Sequence, residues 1–301
     1  MANYIHLPPG SPEVPRLELT VLESDYREGA LRLLKELRPE WRPEEVTTQG
    51  WGPSNLILCL LFWGVRYIVF PVLPPFRLIA RRLAKIHAIH AHNGWIPKSN
   101  LWLKMRAYFS LTPTEFPDRL VHDRFVRDVP NRAVLEQEMA WMEVALSSLG
   151  SPVVLCHNDL LCKNIIYNEK SDGVQFIDYE YSGYNYQAYD IGNHFNEFAG
   201  VNEVDYSLYP DRVLQLHWLR DYLEAYKQFK GVRAEVSENE VERLYVQVNQ
   251  FALASHFFWG LWALIQAKYS KIDFDFLGYA IVRLNQYLKM KPEVMGLSLP
   301  E

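Results

Sequence analysis

The residues from Leu155 to Tyr181, LCHNDLLCKNIIYNEKSDGVQFIDYEY, limit what this chain can fold into more than any other part of its sequence. Three short runs of apolar and β-branched residues, PVVLC, NIIYN and VQFID, predict three β-strands. The second and third runs are joined by EKSDG, whose Asp-Gly pair is a turn signal. The stretch therefore predicts a small sheet of hairpin type whose loops carry aspartate and asparagine.

Helical periodicity predicts most of the remaining chain. Apolar residues recur at helical spacing in 27–38, from 76 to the His-Asn-Gly break at 92–94, in 132–149, in 213–229, from 237 toward 268, and in 276–289. The segment at 237 opens with Ser-Glu-Asn-Glu, the pattern of a capping box. The sequence therefore predicts an α+β fold that is mostly helical.

Composition restricts the class of protein. With 301 residues, 49% of them apolar, the chain can bury a large core, and its net charge of −5 argues against nucleic acid as a partner. Cys59, Cys156 and Cys162 form neither a disulfide framework nor a metal-ligand pattern, and the first residues lack the basic and apolar regions of a secretion signal. We expect a cytoplasmic protein that acts on small molecules; the sequence does not indicate its oligomeric state.

The polar residues of the predicted loops have the spacing of a phosphoryl-transfer site. Asp159 lies two residues after His157 and five before Asn164, and Asp178 follows at the end of a predicted strand. Phosphoryl transfer needs a carboxylate that accepts the proton of the attacking hydroxyl and oxygen ligands that hold Mg²⁺. The pattern predicts Asp159 as the base and Asn164 and Asp178 as metal ligands, as in protein kinases. Lys163 either meets the transferred phosphate or is simply solvated.

Three longer segments carry a family resemblance: CHNDLLCKNIIY, FIDYEYSGYNYQAYDIGNHFNEF and ASHFFWGLWALIQAKYS. They resemble the choline/ethanolamine kinase family, and the resemblance covers the N-terminal arm and helix and nearly everything from Phe76 to the end. It implies a protein-kinase-like fold with a mostly helical C-terminal lobe. It also implies Mg²⁺-dependent transfer of the ATP γ-phosphate to an amino alcohol, the first step of phosphatidylethanolamine synthesis. Ethanolamine is the expected substrate, and choline stays open.

Five positions match the amino-alcohol pocket of that family. By resemblance they are Tyr181, Glu197, Trp259, Trp262 and Tyr279. Aromatic faces and carboxylates are the groups that replace water around a small organic cation. Tryptophans three residues apart on one helix are also typical of simple core packing, so the pocket interpretation depends on the resemblance.

Asp190 and the histidines have expected structural roles. In a kinase-like fold an aspartate on the helix after the metal loop hydrogen-bonds the backbone of the catalytic loop, so the resemblance implies that Asp190 holds Asp159 in place. We expect His157 and His194 to be structural as well. No fourth ligand lies near the group His87, His90 and His92, which favours core or surface histidines over a zinc site.

The interval between the first helix and Phe76 departs from the family pattern. A kinase needs a loop over the phosphates, a cation paired with a helix glutamate, and a hinge strand for adenine. Residues 50–75, GWGPSNLILCLLFWGVRYIVFPVLPP, contain no such pattern and have Arg66 as their only cation. We therefore divide the chain into an arm and helix at 1–49, a non-family apolar segment at 50–75 in place of the N-terminal lobe, and a kinase C-terminal lobe at 76–301.

Alternatives stay open for this interval and for the function. Arg66 interrupts the apolar run, and Gly64 and Pro71 weaken it as a helix, so packing on the exposed surface of the helical lobe is favoured over a membrane span. An abnormal splice or gene-model join would produce the same abrupt change. The functional hypotheses are an ethanolamine kinase, a non-catalytic amino-alcohol binder or regulatory variant, and a membrane-tethered protein anchored through Leu56 to Phe70.

Overall fold

The computed structural model describes residues 65–67, 73–89, 96–168 and 172–300 of the chain. The chain divides into two compact units, Met1–Val65 and Arg66–Glu301, and nearly all described residues belong to the second unit. The predicted helix at 27–38, most of the apolar segment at 50–75, and the residues His90 and His92 lie outside the described residues.

Eight α-helices form most of the described part of the chain. They are α1 Leu73–His87, α2 Leu101–Leu111, α3 Arg119–Asp128, α4 Arg132–Ser147, α5 Gln187–Asn196, α6 Arg212–Phe229, α7 Glu238–Tyr269 and α8 Phe276–Met295. Three-residue 3₁₀ turns lie at Cys162–Asn164, Glu197–Ala199 and Tyr206–Leu208. The helices predicted from periodicity between residue 76 and the end of the chain are therefore confirmed.

The helix predictions differ from the structure at three places. Periodicity does not predict α2 and α3, which are short at 11 and 10 residues; α3 contains no fully buried residue. Neither helix presents a long apolar stripe, which is the signal that periodicity detects. Helix α8 ends at Met295 rather than at Lys289 and carries Pro292 in its final turns, because Met290 and Val294 are buried there.

Side-chain caps fix where several helices begin. The side chains of Asp118, Asn131, Asp211, Ser237 and Asp275 accept hydrogen bonds from the backbone N–H groups of Val121, Val134, Leu214, Glu240 and Gly278, respectively. Such caps satisfy donors that have no partner inside the helix. The predicted capping box of Ser237 and Glu240 at the start of α7 is confirmed.

Five short strands form two sheets rather than the single sheet that was predicted. The strands are β1 Val65–Tyr67, β2 Val153–Cys156, β3 Ile165–Asn168, β4 Gly173–Phe176 and β5 Gly183–Tyr186. One sheet has the order β1-β3-β4, with β3 and β4 antiparallel. The other pairs β2 with β5, so that Val153 lies opposite Tyr186. The predicted strands exist, but β2 pairs with a segment, GYNY, that carries no β-branched residue and was not predicted as a strand.

Helix α7 is the central element of the core. Every residue from Val246 to Leu261 is buried, and α2, α5, α6 and α8 pack around it. A helix segment that is buried on all sides belongs in the interior of a domain. Side chains on this part of α7 are therefore held by packing from several directions.

The search for membrane-spanning helices covered only the described residues. None of the helices there combines the length and the apolar character that crossing a bilayer requires. The predicted anchor from Leu56 to Phe70 lies almost entirely outside these residues.

The contact between α5 and α7 depends on Gly192. A Cβ atom at this position would lie 2.7 Å from the carbonyl oxygen of Val248 and 2.9 Å from the amide nitrogen of Ala252. We expect Gly192→Ala to lower the free energy of unfolding by about 1–3 kcal/mol, because backbone atoms must shift to admit the methyl group. Chemical denaturation monitored by tryptophan fluorescence measures this. The control, Val144→Ile, also adds one carbon but at an exposed site, and a similar loss there would contradict the prediction.

Candidate active site

The loop between β2 and β3 brings Asp159 and Asn164 together. The side-chain nitrogen of Asn164 donates to the backbone oxygen of Asp159 at 2.8 Å and to its carboxylate Oδ2 at 3.3 Å. The 3₁₀ turn Cys162–Asn164 shortens the loop, so that the two side chains meet. The spacing of five residues therefore corresponds to a direct contact.

Asp178 approaches the same loop from the end of β4. The backbone N–H of Ile177 donates to the carbonyl oxygen of Asn164 at 3.0 Å, and the carbonyl oxygen of Ile177 lies 2.9 Å from Nε2 of His157. These contacts fix the backbone directly before Asp178, which itself has a φ of 62°. The three residues that the sequence assigned to catalysis and metal binding thus lie around one loop.

His157 supports this arrangement as a neutral ring. Burial is the main cause that lowers the pKa of His157. Its Nε2–H donates to the Ile177 carbonyl, which leaves Nδ1 to accept a hydrogen bond from the backbone N–H of Asp159 at 3.3 Å. The expectation of a structural histidine at this position is confirmed.

Negative charge is concentrated around Asp159. Burial, followed by the charges of Glu197, Asp178 and Glu180, raises the pKa of Asp159 well above its ordinary value, and the hydrogen bond from Asn164 opposes this rise. Burial and the charge of Asp178 also raise the pKa of Glu180. Carboxylates that repel one another in a partly dry site favour the binding of cations.

Asn164 and Asp178 provide oxygen atoms suited to a divalent metal ion. Both side-chain hydrogen bonds of Asn164 use its amide nitrogen, and no hydrogen bond from the described residues reaches the Asp178 carboxylate. Amide and carboxylate oxygens are the ligands that Mg²⁺ takes in proteins. The donor set therefore fits such an ion.

Asp190 on α5 anchors the backbone of the catalytic loop. Its Oδ2 accepts from the N–H of His157 at 2.8 Å, and its Oδ1 accepts from the N–H of Asn158 at 2.7 Å. His87 on α1 contacts Oδ2 at 2.9 Å through Nε2 and the Tyr222 hydroxyl at 2.6 Å through Nδ1. The hydrogen bonds expected of Asp190 are confirmed.

The same anchor explains the buried cluster of His87, Cys156 and Asp190. Their potential ligand atoms lie within 4.8 Å of one another. Both ring nitrogens of His87 and both carboxylate oxygens of Asp190 take part in hydrogen bonds. The cluster is therefore a satisfied internal network, and His87 is a core histidine. His194 is likewise buried, with Nδ1 2.9 Å from the carbonyl oxygen of Leu160.

An aromatic wall stands beside the loop. The ring of Tyr181 lies 5.2 Å from that of Trp259, and Trp259 lies 5.5 Å from Trp262, both in edge-to-face contact. The charge of Asp159 contributes to the raised pKa of Tyr181, whose largest cause is burial, so this ring lies within electrostatic reach of the loop. Three of the five predicted pocket residues form this wall, which continues from Trp262 to Phe276 at 5.7 Å.

The other two predicted pocket residues meet at a buried arginine. Nη1 of Arg283 on α8 donates to Oε1 of Glu197 at 2.7 Å and to the hydroxyl of Tyr279 at 2.9 Å. Sequence analysis missed Arg283. Its spacing of four residues from Tyr279 places both on one face of α8, which is a usable signal only once Tyr279 is assigned to the site.

Comparison with known proteins identifies relatives of the chain. A family model described as choline/ethanolamine kinase matches residues 75–288. The chain is 59% identical over 363 residues to human ethanolamine kinase 1, covering 100% of this chain and 80% of that protein. It is 58% identical to ethanolamine kinase 1 of Mus musculus, covering 100% of both chains.

Solved structures of kinases have a similar fold. The ethanolamine kinase of Plasmodium vivax superposes with a TM-score of 0.60 at 31% identity, over 71% of this chain and 59% of that chain. The choline kinase of Cryptosporidium parvum superposes with a TM-score of 0.56 at 22% identity, over 74% of this chain and 67% of that chain. The predicted α+β fold of the kinase-like type is confirmed.

The alignments also show that this chain lacks residues at internal positions that its relatives have. The alignment with the Mus musculus protein runs over 363 residues, whereas this chain has 301, so at least 62 aligned positions have no residue of this chain. The family model begins at residue 75, near the start of α1.

The anchor of the catalytic loop is tested by Asp190→Asn. The substitution keeps the shape but removes the charge and one acceptor for buried N–H groups, so we expect a loss of about 3–5 kcal/mol in the free energy of unfolding at pH 7. Denaturant unfolding measures it. Asp221→Asn, at a partly exposed ion pair with Arg77, is the control and is expected to cost less than about 1 kcal/mol.

The pH dependence of the stability difference between the parent chain and Asp190→Asn gives a second measurement. Burial opposes ionisation of Asp190, but the hydrogen bond from His87 and the other favourable interactions lower its pKa overall. The stabilisation is fully present above the pKa of an unfolded aspartate, about 3.9, and is lost as the pH falls through the lower folded value. The stability difference between the parent chain and Asp190→Asn should therefore shrink below about pH 4. A difference that grows there would contradict the assignment.

Proposed function

The chain belongs to the choline/ethanolamine kinase family, and on this premise we propose that it transfers the γ-phosphoryl group of ATP to the hydroxyl of ethanolamine, giving phosphoethanolamine. The observation that carries the proposal is the half-buried carboxylate of Asp159, which is held by Asn164 and lies within electrostatic reach of Tyr181 in the aromatic wall. Relatives named ethanolamine kinase, at 47–59% identity over 98–100% of the chain, favour this substrate.

Asp159 is the base in the proposed reaction. Its carboxylate accepts the proton of the ethanolamine hydroxyl, the freed oxygen bonds to the γ-phosphorus, and ADP leaves with the electrons of the broken P–O bond. Asn164 restrains the carboxylate through its amide nitrogen. Asn164 and Asp178 would hold Mg²⁺, which when bound offsets the negative charge of the nucleotide phosphates.

The ammonium group would bind at the aromatic wall. Tyr181, Trp259 and Trp262 supply ring faces and edges, and Glu197 and Tyr279 supply oxygen atoms. A primary ammonium donates three hydrogen bonds, whereas a quaternary one depends on aromatic contact alone. Both kinds of group are present, so choline is the alternative substrate, and the names of the relatives favour ethanolamine.

We further propose that the aligned positions at which this chain has no residue correspond to the N-terminal nucleotide-binding lobe. At least 62 positions are missing, and residues 50–75 supply too little chain for a phosphate loop, a paired cation and a hinge strand. This favours a second candidate function, a non-catalytic amino-alcohol binder or regulatory variant of the kinase. For either function we propose the cytoplasm, where the free thiols of Cys156 and Cys162 would stay reduced.

Calorimetry and a turnover assay on the purified full chain separate the two functions. Binding of both ethanolamine and Mg·ATP, with formation of phosphoethanolamine, is the result expected of the kinase. Binding of ethanolamine without binding of Mg·ATP would support the non-catalytic function. Absence of ethanolamine binding would contradict both. The membrane-tethered alternative fails if the chain remains in solution without detergent.

The role of Asp159 is tested by Asp159→Asn. We expect phosphoryl transfer to fall by about 10²–10⁴-fold, because the amide cannot accept the hydroxyl proton, while the dissociation constant for ethanolamine changes little. Turnover and calorimetry are measured on the same preparation. Asp221→Asn, at an ion pair between α1 and α6, serves as the matched control. Equal turnover in Asp159→Asn and the parent chain would show that the base is misassigned.

A further inference from the structure

Among the residues that the structure describes, Arg283 is the most deeply buried charged group outside the catalytic loop and the Asp190 anchor. Its side chain is 2% exposed and Glu197, its ion-pair partner, is 4% exposed. An arginine in such a position must have its charge compensated, because an unpaired buried charge is strongly destabilising. Nη1 and Nη2 of Arg283 have hydrogen-bond partners, whereas its buried Nε has none among the described residues. The partners of Arg283 therefore indicate what the residue does.

The guanidinium of Arg283 joins three elements of the pocket. Nη1 bonds to Glu197, in the 3₁₀ turn after α5, and to the hydroxyl of Tyr279 on α8. Nη2 donates to Oγ of Ser255 on α7 at 3.1 Å. Two of these partners are residues that the amino-alcohol pocket is proposed to use.

The network reaches a third pocket residue through Ser255. The hydroxyl of Ser255 donates to Oδ1 of Asn193 at 2.8 Å, and the same oxygen accepts a hydrogen bond from Nε1 of Trp259 at 2.8 Å. Arg283, Ser255, Asn193 and Trp259 are all buried. One guanidinium thus orients a carboxylate, a phenol and, through two intermediates, an indole.

Glu197 is the carboxylate that pairs with Arg283. The nearby His256 is neutral, because burial and then the charge of Arg283 hold its pKa well below the ordinary range. Tyr206 is also neutral, because burial raises its pKa to about 12. Among the described residues, Glu197 is the only carboxylate in an ion pair with Arg283.

The second carboxylate oxygen of Glu197 stays available. Arg283 uses Oε1, and no hydrogen bond from the described residues reaches Oε2. A carboxylate whose charge is largely offset by arginine attracts a cation less by its net charge than by its remaining acceptor. Such an oxygen favours a ligand that donates N–H groups over one that carries only methyl groups.

We propose that Arg283 is a positioning residue for the ammonium site, holding Glu197 and Tyr279 so that Glu197 offers one oxygen to a primary ammonium group. The proposal rests on the proposed function, since it takes ethanolamine as the ligand. Arg283 itself does not touch the reacting hydroxyl or phosphate in this account. Its effect is on recognition of the N–H donors of the ligand.

Calorimetry with ethanolamine and with choline on the purified full chain tests the proposal. For Arg283→Gln we expect ethanolamine affinity to fall by about tenfold or more, because the acceptor oxygen loses its fixed position. Choline affinity should fall by less than about threefold, because its contacts are with the aromatic wall, which Arg283 reaches only at Trp259 and only through Ser255 and Asn193. Arg283→Lys keeps the positive charge but not the forked arrangement of N–H donors. Its ethanolamine affinity should lie between that of the parent chain and that of Arg283→Gln.

Two further variants separate positioning from a general loss of structure. Lys291→Met removes another ion pair of α8, with Glu138, and should leave both affinities within about threefold of the parent chain. In a Glu197→Gln background, adding Arg283→Gln should lower ethanolamine affinity by less than about a further threefold, because the two residues act through one contact.

Thermal unfolding of every variant is recorded. If Arg283→Gln does not fold, Arg283→Lys and Glu197→Gln are used for the same comparison of ethanolamine with choline.

Each remaining outcome counts against a specific claim. Equal losses for ethanolamine and choline, or fully additive effects of the two substitutions, would overturn the positioning role while leaving the proposed function intact. Absence of ethanolamine binding by the parent chain would overturn the proposed function and this inference together. Turnover is not needed for any of these comparisons.

Discussion

The carboxylate of Asp190 is the interaction on which the site depends. It accepts hydrogen bonds from two successive backbone N–H groups, those of His157 and Asn158, and contacts the ring of His87. Because α5 packs closely on the central helix α7 at Gly192, the loop between β2 and β3 is tied through one side chain to the buried core around α7. A buried carboxylate is tolerated only when it is satisfied in this way.

The sequence predicted those parts of the site in which the contacting residues are close together along the chain. The contact between Asp159 and Asn164 spans five residues, and the capping box of α7 spans four, so short-range spacing was sufficient. The separation of the strands into two sheets was not predictable, because β2 pairs with a strand about 30 residues away that lacks β-branched residues. Arg283 was missed for a related reason: its partner Glu197 is 86 positions away, and periodicity shows that a helix face is buried without showing what it meets.

Two kinds of cation would meet in the proposed reaction, and the groups proposed for each differ in their chemistry. The loop side carries the oxygen atoms of Asn164 and Asp178 and further carboxylates around Asp159, which together would suit a hard metal ion. The other side carries the aromatic wall and a carboxylate already paired with Arg283, which suit an organic ammonium group. This difference in charge compensation would favour the metal ion at the proposed loop site and the ammonium group at the proposed wall site.

The left-handed backbone at Asn158 and Asp178 has a consequence for how this region tolerates change. Both residues have a positive φ, 67° and 62°, which costs a side-chain-bearing residue about 1 kcal/mol relative to glycine. Replacing Asp178 with glycine would relieve the backbone strain but remove a carboxylate. Stability and the proposed metal binding therefore favour different residues at this position. Under the metal-binding role proposed for Asp178, selection for thermal resistance alone would favour glycine at this position at the expense of that role.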